Sequence, residues 1–280
     1  MIRYFLGIFL FASALLYGQN DSLKLGWTPS GILGLNVSQI SLSNWTQGGE
    51  DALNLNTFAD FGFVYESLKW KLDNNLKLKY GFTKLSSDNS KITDNEIFMD
   101  NVLSYKMDWL FDPYASNTFR TVMVNGYTYD TDPKTQISGF FDPAYWNQSI
   151  GLSYQKIDWM TARLGLGFKE TFASDFAAAF TDDPDTPNEI EDFKFETGIE
   201  FVTKANYPIQ ENLLLSSELF LFSSFDQLDV WDVRWDNTIT AKISSIFNVN
   251  LNVIVVYDTD QTLKTQVKEA LQIGITYTLF

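Results

Sequence analysis

Trp70-Lys71-Leu72-Asp73-Asn74-Asn75-Leu76-Lys77-Leu78-Lys79-Tyr80-Gly81-Phe82 alternates with a period of two. Trp70, Leu72, Leu76, Leu78, Tyr80 and Phe82 share one face, while Lys71, Asp73, Asn75, Lys77, Lys79 and Gly81 share the other. Successive side chains of a strand point to opposite faces, so this stretch reads as a half-buried antiparallel strand. It is also long enough to cross a bilayer at a tilt.

The same split returns along the chain. Met160, Ala162, Leu164, Leu166 and Phe168 oppose Thr161, Arg163, Gly165, Gly167 and Lys169; Phe193, Phe195, Ile199 and Phe201 oppose Lys194, Glu196, Gly198 and Glu200. Val249, Leu251, Val253, Val255 and Tyr257 lie opposite Asn248, Asn250, Asn252 and Ile254. No stretch after the N-terminal leader holds a 3.6-residue period, and none has an apolar run long enough for a membrane helix. Reading onward predicts about twelve strands, at residues 34–41, 53–65, 70–82, 97–105, 119–129, 146–154, 160–171, 193–202, 213–222, 231–241, 247–257 and 267–279. Tight connections at 66–67, 108–112, 157–158, 206–210 and 244–245 take turns with longer polar ones at 42–51, 86–95, 130–144, 174–192, 226–230 and 258–265. That order predicts an all-β fold, an antiparallel up-and-down transmembrane β-barrel with short turns at one rim and long loops at the other.

Alternation alone fits a soluble sandwich as well. Strand length and unbroken meander order favour the barrel. So does the placement of aromatics, which make up 16% of the residues. Tyr65, Trp70, Tyr105, Tyr154 and Trp159 fall at the turn ends, and Phe82, Tyr127, Trp146, Phe172, Trp231 and Tyr257 at the loop ends. Amphipathic rings collect in this way at the two membrane interfaces.

Residues 1–18 carry Arg3 and then an apolar run from Phe5 to Leu16, the pattern of a cleaved secretory signal peptide. Residues 19–31 are expected to be a short periplasmic segment, and 32–280 the barrel. The chain has no Cys and no His, with Lys+Arg 20 against Asp+Glu 35 and a formal net charge of -15. These counts remove disulfides, thiol nucleophiles, Cys/His metal sites and every catalytic arrangement that needs an imidazole base. No cofactor or metal is expected, and an acidic chain is a poor match for nucleic acid. A hydrolase working through paired carboxylates is the remaining enzyme reading.

If the apolar faces meet lipid, the lumen is lined by Asp60, Lys71, Asp73, Lys77, Lys79, Arg120, Arg163, Lys169, Lys194, Glu196, Glu200, Glu218, Asp232, Arg234 and Asp236. Both signs are present in similar numbers. That mixture fits a narrow pore for small polar solutes and fits equally a self-neutralised barrel interior, and the residues leave both readings open. Acidic turn phrases, Tyr129-Asp130-Thr131-Asp132, Tyr257-Asp258-Thr259-Asp260 and the carboxylates within 181–192, read as solvated loop charge rather than as calcium ligands, since no calcium-loop spacing is present. Asn44, Trp45, Gly48 and Gly49 form a rim motif that fits a ligand contact and fits better an interfacial anchor at Trp45 with glycines that turn the first hairpin.

Two stretches carry resemblances. The terminal strand Ile273-Gly274-Ile275-Thr276-Tyr277-Thr278-Leu279-Phe280 resembles the insertion signature of bacterial outer-membrane barrels, with Tyr277 and Phe280 as its signal residues. Ser41-Leu42-Ser43-Asn44-Trp45-Thr46-Gln47-Gly48-Gly49-Glu50, followed by Leu53-Asn54-Leu55-Asn56, resembles the start of an uncharacterised Gram-negative family with a domain of unknown function. The ending Lys268-Glu269-Ala270-Leu271-Gln272-Ile273-Gly274 resembles it too. The resemblance implies the outer membrane and the barrel fold and no activity; a monomer surrounded by lipid, inserted by the barrel-assembly machinery through its last strand, is expected.

Overall fold

The computed structural model describes residues 25–43, 50–86, 90–129, 131–182, 186, 189–258 and 262–280. The expected signal peptide and the rim residues Asn44, Trp45, Gly48 and Gly49 lie outside the described residues, as do Asp130, Asp183, Asp185, Thr259 and Asp260. The chain runs through β1 (Gly26–Ile40), β2 (Ala52–Glu66), β3 (Trp70–Leu85), β4 (Lys91–Tyr105), β5 (Asp112–Thr121), β6 (Gly126–Thr128), β7 (Thr135–Ser138), β8 (Ala144–Ile157) and β9 (Met160–Phe172). A short helix α1 (Ala177–Phe180) follows, then β10 (Phe193–Gln210), β11 (Leu213–Ser224), β12 (Asp232–Lys242), β13 (Phe247–Asp258) and β14 (Thr262–Thr278). Twelve strands, all except β6 and β7, close into one barrel in which each pairs antiparallel with its neighbours, and β14 returns to β1. The meander order and the alternation of rims are those expected from the sequence.

Four local differences have physical causes. The barrel begins at Gly26, not near residue 32, because Gly26 to Gly31 already pair with Glu66 to Phe61 of β2. Pro29 conceals this, since proline argues against a strand interior. Gly31 donates its backbone N–H to Phe280 O at 3.4 Å, so by alternation the nitrogen of Pro29 faces away from β2, where no described residue pairs with it. A missing N–H costs nothing there. Second, the fifth barrel strand is Asp112–Thr121, not 119–129. Its inward residues Tyr114, Ser116 and Thr118 and outward Pro113, Ala115 and Asn117 give too little apolar contrast to read. Asn95 Oδ1 then accepts the backbone N–H groups of Met123 and Val124, at 2.8 and 3.1 Å, which turns the chain out of the wall. Tyr127 consequently belongs to the separate β6–β7 hairpin, with Lys134 Nζ 4.0 Å from its ring centre, and is not part of a girdle. Third, β10 continues through Pro208, which sits at a register shift against β11, so the turn falls at Glu211-Asn212 rather than at 206–210. Fourth, β4 and β14 start at Lys91 and Thr262, further into the loop rim than expected.

No helix among the described residues is long and apolar enough to cross a membrane; the crossing is made by strands. Their outer faces expose Leu33, Phe63, Leu103, Ile150, Leu164, Leu166, Leu251, Ile273 and Ile275. Exposed apolar surface on this scale suits hydrocarbon rather than water. Aromatic pairs ring the turn side: Trp27–Tyr65 at 5.2 Å, Trp70–Tyr105 at 4.8 Å, Phe111–Tyr154 at 6.3 Å and Trp159–Tyr207 at 5.1 Å between ring centres. On the loop side stand Trp146, Trp231 and the Phe172–Phe193 pair at 5.1 Å, with Tyr257 two residues above Val255 on the outer face of β13. Phe141 leans on Phe119 at 5.6 Å and fills the belt above the short β5.

Candidate site in the lumen

The polar faces converge on the lumen because the period of two leaves them nowhere else to go. Ion pairs then join strands that are far apart in the wall. Lys77 of β3 reaches Glu218 of β11 at 3.4 Å, and Arg234 of β12 reaches Glu96 of β4 at 3.4 Å. In a ring of twelve, each of these strand pairs is six places apart, which is diametrically opposite. Glu96 also holds Lys79 at 3.5 Å and Arg120, so its carboxylate gathers three cations. Lys204 of β10 bridges Asp100 at 2.5 Å and Glu218 at 3.5 Å, and Arg163 of β9 meets Asp100 at 3.5 Å. Towards the loop rim, Lys169 lies 2.7 Å from Asp232 and 3.3 Å from Glu196, which Lys194 approaches at 3.5 Å. Arg234 contacts Asp236 at 3.2 Å. The sum is a septum of opposite charges at mid-height. Apolar rings reinforce it: Phe98 is buried, with the Arg120 guanidinium 4.5 Å and Lys77 Nζ 5.7 Å from its ring centre.

One wall is bare so that large side chains can fill the section. Gly151, Gly165, Gly167 and Gly198 lie on adjacent strands β8, β9 and β10, facing inward, and Phe222 lies 3.1 Å from where a Cβ on Gly167 would be. Beside them Glu200 accepts a hydrogen bond from Ser149 Oγ at 2.5 Å, and Ser149 pairs with Ser116 at 2.7 Å.

On the turn side of the septum lies a cavity of about 730 Å³. Asp60, Lys71, Asp73, Lys77 and Lys79 line it, and it rises along β1, β2, β3 and β14 as far as Asp94 and Lys268. Those two bridge at 2.5 Å. A smaller space of about 130 Å³, lined by Arg120, Lys169, Asp232 and Asp258, lies near the loop rim. The charged groups of the large cavity stand mostly on β2, β3 and β4, with Arg163, Lys204, Lys242 and Lys268 elsewhere, while the wall of β12 and β13 offers mainly neutral amides and hydroxyls, including Thr240, Asn248, Asn250 and Asn252.

All fifteen candidate residues therefore stand on inward faces, and eleven of them enter the ion pairs just described. The exceptions are Asp60, which accepts from Asn75 Nδ2 at 2.6 Å, Lys71, which donates to Gln155 Oε1 at 3.4 Å, Glu200, and Asp73, which lines the cavity. Sequence reasoning missed Asp94, Glu96, Asp100, Lys204 and Lys268. Asp94, Glu96 and Asp100 share one face of β4, and the period-two signal was there to read once the strand was extended to Lys91.

The closure itself is thin. β1 pairs with β14 only from Ile32↔Thr278 to Val37↔Ile273. Amides reinforce it from inside: Asn250 Nδ2 donates to Asn36 Oδ1 at 3.1 Å and to Asn248 Oδ1 at 2.6 Å, over Gly274. Asn36→Leu is expected to cost about 1 kcal/mol, since it leaves Asn250 short of an acceptor at a half-buried position. A lowered urea midpoint in detergent micelles, with an unchanged slope, checks this.

By sequence, no curated protein matches the chain. By structure, the COG4313 outer membrane channel from Pseudomonas putida F1 is similar at 10% identity over 95% of this chain and 99% of that one, with a TM-score of 0.43. The translocator domain of the autotransporter NalP from Neisseria meningitidis is similar at 8% identity over 92% and 90%, with a TM-score of 0.39. The KdgM porin is similar at 10% identity over 89% and 99%, with a TM-score of 0.32. The Lys268–Gly274 ending lies outside the stretch that a family model matches, but the opening Ser41–Glu50 lies within it: residues 37–127 match the family described as a protein of unknown function (DUF3078).

Proposed function

We propose that this chain is an outer-membrane β-barrel closed to free diffusion at mid-height, with a polar vestibule on the turn side. The observation that carries the reading is the pair of ion bridges between diametrically opposed strands, Lys77–Glu218 and Arg234–Glu96, both at 3.4 Å. Charges from opposite walls that touch leave no hydrated path between them, and in a narrow section their desolvation is offset only while they stay paired. The outer membrane is supported by the apolar outer faces and the two aromatic belts. The carboxylates of the septum are each committed to a cation, which suits closure better than acid–base work at that level.

A narrow pore is the second reading, favoured by the rise of the vestibule to Asp94 and Lys268 on the β14 side. Planar-bilayer recording separates the two. The wild-type barrel is expected to show no steady conductance in high salt, and the double variant Lys77→Ser/Glu218→Ser to show stable open steps. Steady wild-type conductance, with a cation or anion preference that the double variant does not alter, would replace the closed barrel by the pore.

A further inference from the structure

The β1–β14 seam stops early. Above Val37↔Ile273 the next partners in register are Ser38 with Gln272, Gln39 with Leu271 and Ile40 with Ala270, and these do not pair. On the other side β14 stays paired to β13 up to Val256↔Gln266. Leu279 donates to Gly31 O at 2.8 Å, so alternation places Ile273, and beyond it Leu271, Glu269 and Val267, with their N–H and C=O groups towards β1. Among the described residues those last three find no backbone partner on that side.

Free strand edges are not tolerated in hydrocarbon, because each unmet donor or acceptor carries a desolvation cost. The side chains repeat the message. Val267 and Leu271 point outward and are 64% and 65% exposed. Glu269 stands between them on the same face, exposed and with no ion pair among the described residues. The other outward carboxylate within a strand interior, Glu170, has Gln148 Nε2 at 3.5 Å. A backbone edge and a carboxylate that both require polar company thus coincide at one place on an otherwise apolar wall.

Directly behind this edge is the vestibule: Asn36, Lys268, Ala270 and Gln272 line it. Gln272 Nε2 donates to Asn54 Oδ1 at 2.7 Å and Asn56 Nδ2 to Asp94 Oδ2 at 2.5 Å, so the inner side offers a mixed, nearly neutral set of donors and acceptors. We infer that the upper seam is a lateral opening between vestibule and membrane, which takes the polar head of a membrane amphiphile while its tails stay against Ile40, Val267 and Leu271. The inference rests on the reading of a membrane barrel closed at mid-height, and it gives the vestibule an entrance that bypasses the septum.

The chain has no cysteine of its own, so single-cysteine probes are clean. Ala270→Cys at the seam and Thr240→Cys on the far wall both face the vestibule. In bilayers containing a phospholipid with a maleimide on its head group, Ala270→Cys is expected to be labelled several-fold faster than Thr240→Cys. Ser38→Cys/Gln272→Cys, added to Ala270→Cys and oxidised to join the unpaired register partners, is expected to abolish that labelling. If Ala270→Cys reacts with a water-soluble maleimide but not with the lipid, the lateral opening is wrong while the vestibule stands. If neither reagent reaches either position, the vestibule is wrong and the opening with it. Equal lipid labelling of Thr240→Cys, or spontaneous complete joining of Ser38→Cys to Gln272→Cys before any oxidant, would also overturn the inference.

Discussion

Glu96→Gln is expected to destabilise the barrel by about 3–5 kcal/mol, the usual consequence of removing one partner from a buried charge cluster. The side chain is only 15% exposed, and its carboxylate serves Lys79 from β3, Arg120 from β5 and Arg234 from β12. Glutamine keeps the shape and an acceptor oxygen but leaves three cations in one layer, with Asp236 as the nearest anion on Arg234. Their mutual repulsion and lost desolvation compensation act in the same direction. Lys77→Gln is the contrast. Its side chain is 29% exposed, on the vestibule side, and its partner Glu218 retains Lys204, so the expected loss is about 1 kcal/mol. Urea unfolding followed by tryptophan fluorescence measures both. Adding Lys79→Gln to Glu96→Gln is expected to recover part of the loss, because it removes a repelled cation. A loss below about 1 kcal/mol for Glu96→Gln would mean that the cluster is hydrated and the septum is not a seal.

Most of the fold was legible because its decisive signal is local. A period of two along 70–82 fixes which residues face lipid whatever the neighbouring strands do, and the same rule assigned Lys77, Arg163, Lys169, Glu196, Glu218 and Arg234 to the inside. What failed to appear depends on contacts between strands. Pro29 and Pro208 argue locally against strands, yet the nitrogen of one faces away from β2, where no described residue pairs with it, and the other sits at a register shift. The Asp112–Thr121 strand carries little hydrophobic contrast and is held by two neighbours that sequence does not reveal. The septum was out of reach for the same reason: faces say that Lys77 and Glu218 point inward, but only the closure of twelve strands brings β3 opposite β11. Placing the fourth strand's start at 97 hid Asp94 and Glu96, although both obey the alternation that revealed their partners.

The glycine wall gives the second large effect, because there the obstacle is backbone. Gly151 and Gly165 are cross-strand partners on β8 and β9, both facing inward. A Cβ on Gly165 would sit 2.4 Å from Ile150 O and 2.7 Å from the Tyr114 hydroxyl, and one on Gly151 would sit 2.2 Å from Leu164 O. A carbonyl in a paired strand cannot swing aside as a side-chain end can, so the two strands must separate. The Tyr114 hydroxyl is tied to Ser149 Oγ at 3.2 Å, next to Glu200, and the Arg163 guanidinium lies 5.7 Å from its ring centre. Displacing Tyr114 therefore disturbs the polar layer that the bare wall accommodates. Gly165→Val is expected to cost about 3 kcal/mol or to prevent folding, at the upper end of overpacking effects. Gly165→Ala should cost somewhat less, and both should cost more than Gly139→Ala, whose Cβ would meet nothing closer than 3.5 Å. Heat-modifiable gel mobility reports whether the barrel closes, and urea midpoints rank the three. If Gly165→Val matches Gly139→Ala, the close approach of β8 and β9 does not shape the lumen, and the section at mid-height is wider than the septum requires.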